Sequence, residues 1–202
     1  MNLSGNKTIT SIIIEMFSVI FAVLLALFAK DYHDKVQTKH EMIGVIKNIK
    51  TEITRNRDSL SLSVQAHERL LDTLGTYYSS KFDFTDIKLG FADMFKKAEF
   101  KLVMPPITTV TWETAKYSGI VKEFPFRLLS EITKMIFIQE SINDVLKELK
   151  GNIYTKDIFE PKETKKEFLI IMLTIEDIIK KEKLLIDSYN DVIREIDAEI
   201  GK

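Results

Sequence analysis

Glu15 is the only ionisable residue in the apolar run from Ile12 to Ala29, and it is the first place where this sequence could site chemistry. A carboxyl group inside hydrocarbon must reach water, pair or be protonated. Three roles are therefore open to it. It could extend to the aqueous surface from about one turn inside the run, bond a neighbouring helix, or carry a proton or ion within an oligomer. On a helix turning about 100° per residue, Ser11, Glu15, Ser18, Ala22, Ala26 and Ala29 fall within an arc of about 80°. Every Ser and Ala between positions 11 and 29 lies on that stripe, and large apolar residues cover the remaining circumference. Small residues four apart let two helix backbones approach closely in lipid. The stripe is the expected helix-association face, and Glu15 lies on it.

The three histidines, His33, His40 and His67, are the next residues able to do chemistry. His33 and His40 share a helix face but stand about 10 Å apart along it, too far to hold one metal without a second chain. Surface or bundle-facing roles are expected for all three, and no metal site. The sequence has no glycine-rich phosphate loop, no Gly-x-Ser-x-Gly and no His-Glu-x-x-His, the motifs that would signal phosphate binding, acyl transfer or zinc hydrolysis. Acidic residues mostly alternate with lysine, as on solvated helix faces. No catalytic residue and no cofactor is expected.

The segment Val110 to Gly119 holds the chain's one tryptophan. Trp112, Glu113, Lys116 and Tyr117 are spaced to share one side of a short helix, and Trp and Tyr are favoured at binding hot spots. They are the expected partner-binding residues; the competing reading is that Trp112 plugs the end of a bundle while Gly119 turns the chain.

The elements that must position these residues are legible in the totals and the patterning. The chain has 202 residues, 45% hydrophobic and 29% charged, with 7 Gly and 4 Pro. It is too apolar and too poor in Gly and Pro for disorder. A formal net charge of -1 supplies no attraction for nucleic acid, which is not an expected partner. Cysteine is absent, which excludes disulfides and thiolate metal centres.

The eighteen residues Ile12 to Ala29 rise about 27 Å as a helix, close to the roughly 30 Å hydrocarbon core. A cleaved signal peptide has a shorter apolar stretch and a small-x-small cleavage site, whereas a cut after Ala29 would place bulky Leu27 at the third position back. A buried core helix is the other rival. The expected organisation is a short tail over 1–10, a transmembrane helix over 11–29 and a helical bundle domain over 30–202. Lys7 alone precedes the span, while Lys30, Lys35, Lys39, Lys47 and Lys50 follow it. The positive-inside rule then places the C-terminal domain in the cytoplasm.

No proline occurs before position 105, and the helix is expected to continue past the span. Met42, Ile46, Ile49, Ile53, Leu60, Leu70 and Leu74 take alternating three- and four-residue steps, with Asn56, Ser63 and His67 filling the gaps: a heptad seam with polar interruptions. Gly75 and Tyr77 to Ser80 mark its expected end. Residues 81–125 are the least regular, punctuated by Phe82, Phe84, Phe91, Phe95 and Phe100, and blocked from helix at Pro105-Pro106. A short helix is expected over Thr111 to Ser118, ended by Gly119. The next runs from Phe126 to Lys150 and closes at Gly151, with Leu128, Ile132, Met135, Ile138, Ile142, Val145 and Leu149 inward. The last runs from near Pro161 to about Ile200 on a seam of Phe168, Ile171, Ile175, Ile178, Leu185, Tyr189, Val192 and Ile196, with Glu182 as its gap. The run Phe168 to Leu173, apolar all round, is expected to be buried on several sides. The fold class is all-α: one N-terminal transmembrane helix continuing into an antiparallel bundle of long helices.

The chain resembles a family of small bacterial single-span, all-helical membrane proteins with no assigned activity. The resemblance is carried by a Glu early in a span that ends Leu24-Leu-Ala-Leu27, by the charged helix that follows, and by Thr111-Trp-Glu-Thr-Ala-Lys-Tyr-Ser-Gly119 before the C-terminal helices. It implies a fold and an anchor and supplies no catalytic residues. The expected function is that of a membrane-anchored interaction or scaffold protein. Its partners would be the lipid bilayer and either a second copy of itself or another membrane protein. A membrane-perturbing stress or antiviral-defence effector acting through oligomers is the alternative, and a membrane-bound enzyme with an unrecognised site a third.

Overall fold

The structure, a computed structural model, describes residues 9–79, 106–153 and 164–201. All regular secondary structure among them is helical. The elements are α1 (Ile9–Ser79), α2 (Val110–Ser118), a 3₁₀ turn (Ile120–Glu123), α3 (Phe126–Ile153) and α4 (Thr164–Ile200). Two compact units divide between Gly44 and Val45.

In the first unit, α1 carries the apolar run with its side chains exposed on every side, Phe17, Phe21 and Phe28 among them. This helix is long and apolar enough to cross a membrane. Beyond it the surface is charged, with Lys35 and Asp31 paired at 2.8 Å one turn apart.

The second unit contains the core. On α1 the seam residues Ile46, Ile49, Ile53, Leu60, Leu70 and Leu74 are buried, and so are Asn56, Ser63 and His67 between them. The helix stays regular although it is rich in Ser and Thr, because their hydroxyls bond carbonyls one turn back: Thr54 to Lys50 at 2.7 Å, Ser61 to Arg57 at 2.9 Å and Thr73 to Arg69 at 2.8 Å. On α4 every expected seam position is buried, Glu182 included. Contacts between α1 and α4 run in opposite senses along the two helices. Lys50 pairs with Asp197, Arg57 donates to Asn190 at 3.2 Å, and Lys183 meets Glu68 at 2.7 Å. The rings of Tyr78 and Phe168 stack at 5.9 Å. α3 packs along α4, and Arg127 near its start reaches Glu195 near the end of α4 at 2.8 Å.

Three expectations need correction. On α3 Val145 is only half-buried, and Gln139 and Leu146 turn inward. The buried row there steps Ile132, Met135, Gln139, Ile142, Leu146, Leu149, a strict heptad; the expected row took Ile138 and Val145 where the heptad puts Gln139 and Leu146, and of the two expected residues only Ile138 is buried as well. On α4 the run from Phe168 to Leu173 is not covered all round: Phe168 and Ile171 are buried, whereas Leu169, Ile170 and Leu173 are exposed. Gly151 does not close α3, which continues to Ile153; a mid-helix glycine costs only about 1 kcal/mol and does not force an end. The expected phenylalanine-rich segment, Pro105 and Pro161 lie outside the described residues.

Candidate functional site

Three places carry the residues singled out from the sequence. On the first unit, Ser11 is half-buried and Glu15, Ser18, Ala22, Ala26 and Ala29 are exposed. They share one side of α1 by its helical turn, and Glu15 is the ionisable group among them. His33 and His40 are also exposed, His33 lying 3.9 Å from Asp34.

The second place is α2, where the four expected partner-binding residues separate by environment. Trp112 is 8% exposed and Tyr117 88%. Glu113 and Lys116 pair at 2.8 Å, and the Lys116 ammonium lies 5.9 Å from the Trp112 ring centre, within cation–π range. Gly119 takes the left-handed conformation at φ 75° and its N–H returns to the Lys116 carbonyl at 3.1 Å. A residue with a Cβ is strained there, which explains why this helix stops where it does.

α2 is held from outside its own sequence. Thr109 precedes it but makes no side-chain cap. Glu52 of α1 does so instead, accepting the Val110 N–H at 2.9 Å with Oε1 and the Thr111 N–H at 2.8 Å with Oε2. An anion there satisfies two orphan donors and faces the positive end of the helix. One turn on, the Asn56 amide donates to the Thr108 carbonyl at 2.7 Å, and its oxygen accepts the Thr108 N–H at 3.2 Å. Partial burial raises the Glu52 carboxyl, but hydrogen bonds from Thr108, Thr111 and Val110 outweigh it and hold the group below its ordinary value. Tyr189, buried beside this clamp, has its phenol pushed well up by burial, which the neighbouring Asn56 only partly offsets. Asn56 was legible as a polar gap in the seam. Glu52 was missed, and the available signal was its place one turn before Asn56.

The third place is buried in the second unit, between α1 and α4. Glu182 of α4 accepts the Ser63 hydroxyl at 3.0 Å, and its other oxygen lies 2.9 Å from His67 Nδ1. The His67 and Glu182 side chains are 0% and 1% exposed. Because His67 faces the carboxylate with Nδ1, the ring presents Nε2 on its far side. Among the described residues Nε2 has no hydrogen-bond partner, and neither does the buried Gln139 Oε1. Ser63, His67 and Glu182 were each recognisable as seam gaps, yet nothing local to either helix says that they meet. The arrangement is not a nucleophile–base relay, because Ser63 and His67 both bond the carboxylate. It is also sealed from solvent.

A groove of about 660 Å³ on α1 and α4 is lined by Leu71, Gly75 and Ile179 together with Glu68, Asp72 and Lys183. Compared with family models, with curated proteins and with the solved structures, the chain matches none.

Proposed function

We propose that the chain is a membrane-anchored interaction protein. Its 11–29 segment crosses the bilayer once, and its stripe of small residues joins a second copy or another membrane protein's span. Residues beyond the span form an antiparallel helical bundle on the cytoplasmic side, and kinship with the bacterial single-span proteins that the sequence resembles belongs to the same proposal.

The observation that carries it is the contrast between two apolar surfaces of one chain. The seams of α1, α3 and α4 in the second unit are buried, most of them almost completely, whereas none of the apolar window of α1 is buried. A core helix of a water-soluble protein would be covered by its own chain; a helix apolar on every side and bare needs lipid or another helix around it. The bundle itself supports a binding role more than a catalytic one. Its best-organised polar cluster is sealed, and in the groove beside the clamp the Glu52 carboxylate is already engaged by the Val110 and Thr111 N–H groups. The exposed Tyr117, beside the paired Glu113 and Lys116, presents the aromatic group through which α2 would meet a partner.

Native mass spectrometry of the detergent-purified full chain tests this. A stable oligomer, or a co-purified membrane protein, is expected. A chain that stays monomeric and alone as detergent is stripped away would overturn the proposed association.

A further inference from the structure

The heptad seams of α1 and α4 have a weakness that the interior polar cluster remedies. Apart from Glu182, the α4 seam is made of apolar or aromatic side chains at every heptad step, and much of the α1 seam is the same. Two such seams fit almost equally well after sliding past one another by one heptad, about 10.5 Å. Apolar burial is non-directional and discriminates little between these registers. Hydrogen bonds do discriminate, because each needs its partner within about 3 Å.

We propose that the Ser63–His67–Glu182 layer is a register lock, the device that fixes which turn of α4 lies against which turn of α1. In the observed register the carboxylate receives Ser63 at 3.0 Å and faces His67 Nδ1 at 2.9 Å. Sliding α4 by one heptad in one direction brings Glu182 level with Leu70 and Leu74, and in the other level with Leu60 and Asn56, whose amide is already bonded to Thr108. Either way the carboxylate loses both Ser63 and His67, and His67 is left facing Tyr189 and Leu185 in the first slip and Ile171 and Ile175 in the second. An uncompensated buried charge is among the costliest defects a fold can carry. The layer therefore acts mainly by penalising wrong registers, as a buried polar residue does in a coiled coil. It goes beyond the membrane proposal and does not depend on it: the lock operates within one chain whether or not the chain associates.

The absence of cysteine gives a direct readout. In the full chain, three engineered pairs report register by closure with a short crosslinker reactive at both thiols, since cysteines in place of these long side chains leave a gap wider than a direct disulfide spans. Arg57→Cys with Asn190→Cys marks the observed register, where those side chains touch at 3.2 Å. Arg57→Cys with Lys183→Cys and Arg57→Cys with Asp197→Cys mark one-heptad slips in the two directions. Intrachain and interchain products separate by size. With the layer intact, only the 57–190 pair should close within a chain. With His67→Leu and Glu182→Leu combined, closure of a slipped pair should rise roughly tenfold, while helix content and melting temperature are kept or raised. The exchanged pair, His67→Glu with Glu182→His, restores a polar layer and should return closure to 57–190 alone. Closure confined to 57–190 in the leucine variant would overturn the proposal, since apolar contacts would then suffice for register. Loss of the fold in that variant would overturn it equally, because the layer would then be needed for folding itself.

Discussion

Asn56 and Thr108 bond each other twice, the Asn56 amide donating to the Thr108 carbonyl at 2.7 Å and accepting the Thr108 N–H at 3.2 Å. A side-chain amide here imitates the backbone pairing of a neighbouring strand and fastens the start of α2 to the seam of α1. Asn56→Ala removes both bonds and should destabilise the chain by about 1–3 kcal/mol. The lone Trp112 reports the local consequence: its emission should shift to the red as α2 loosens. Unchanged stability together with unchanged emission would mean that α2 is held elsewhere.

Glu52 makes the same attachment sensitive to acid. Its carboxyl is held below the ordinary value of 4.5, so the ionised form is favoured by folding. The stability it contributes is fully present above pH 4.5 and is lost as pH falls through the lower folded value. Urea unfolding of the full chain in detergent between pH 3 and pH 6 should show this loss, and Glu52→Gln should flatten that part of the profile. A profile of the same shape in both proteins would remove Glu52 from the account.

Trp112 is covered on α2, whereas Tyr117 stands open on the same helix. Trp112→Ala should therefore cost about 3–5 kcal/mol in thermal or urea unfolding. Tyr117→Ala should leave stability within about 0.5 kcal/mol, as surface changes usually do, and should reduce recovery of a partner that docks on α2. A stable Trp112→Ala protein that fails to recover partner would reverse the two roles.

Lys30, Lys35 and Lys39 follow the span closely, and the positive-inside rule counts them as a cytoplasmic signal. A C-terminal fusion to a phosphatase that works only outside the cytoplasm should be inactive, and a fluorescent fusion that folds only inside should glow. The opposite pair of results would move the bundle to the external side.

The long-range order of the chain was legible because the heptad pattern is strong in α1 and α4. Each α4 seam residue named from the sequence is buried, from Phe168 to Ile196, and Gly119 ends α2 as expected. Legibility failed where polar residues replace apolar ones. Gln139 takes an inward position that composition assigned to its neighbours, and Glu52 leaves its own helix to cap another. It failed again where apolar residues are left uncovered: Leu169, Ile170 and Leu173 are as hydrophobic as Phe168 but point away from the core. Pairings such as His67 with Glu182 join residues 115 positions apart. Each half is visible locally as a polar gap, and only tertiary packing brings the halves together.

Association of the span through its small-residue face is the claim on which the proposed function stands, and crosslinking in native membranes tests it most directly. A single Ser11→Cys on the stripe of this cysteine-free chain reports proximity of two copies through disulfide formation. Ala22→Leu with Ala26→Leu adds bulk on the stripe, and Ile20→Phe with Leu27→Phe adds it on the far side of the helix. The expected result is dimer in the parent and in the far-side variant. In the stripe variant it should fall roughly fivefold, as loss of about 1 kcal/mol in helix association implies. Equal crosslinking in all three proteins, or none in the parent, would contradict self-association through this face.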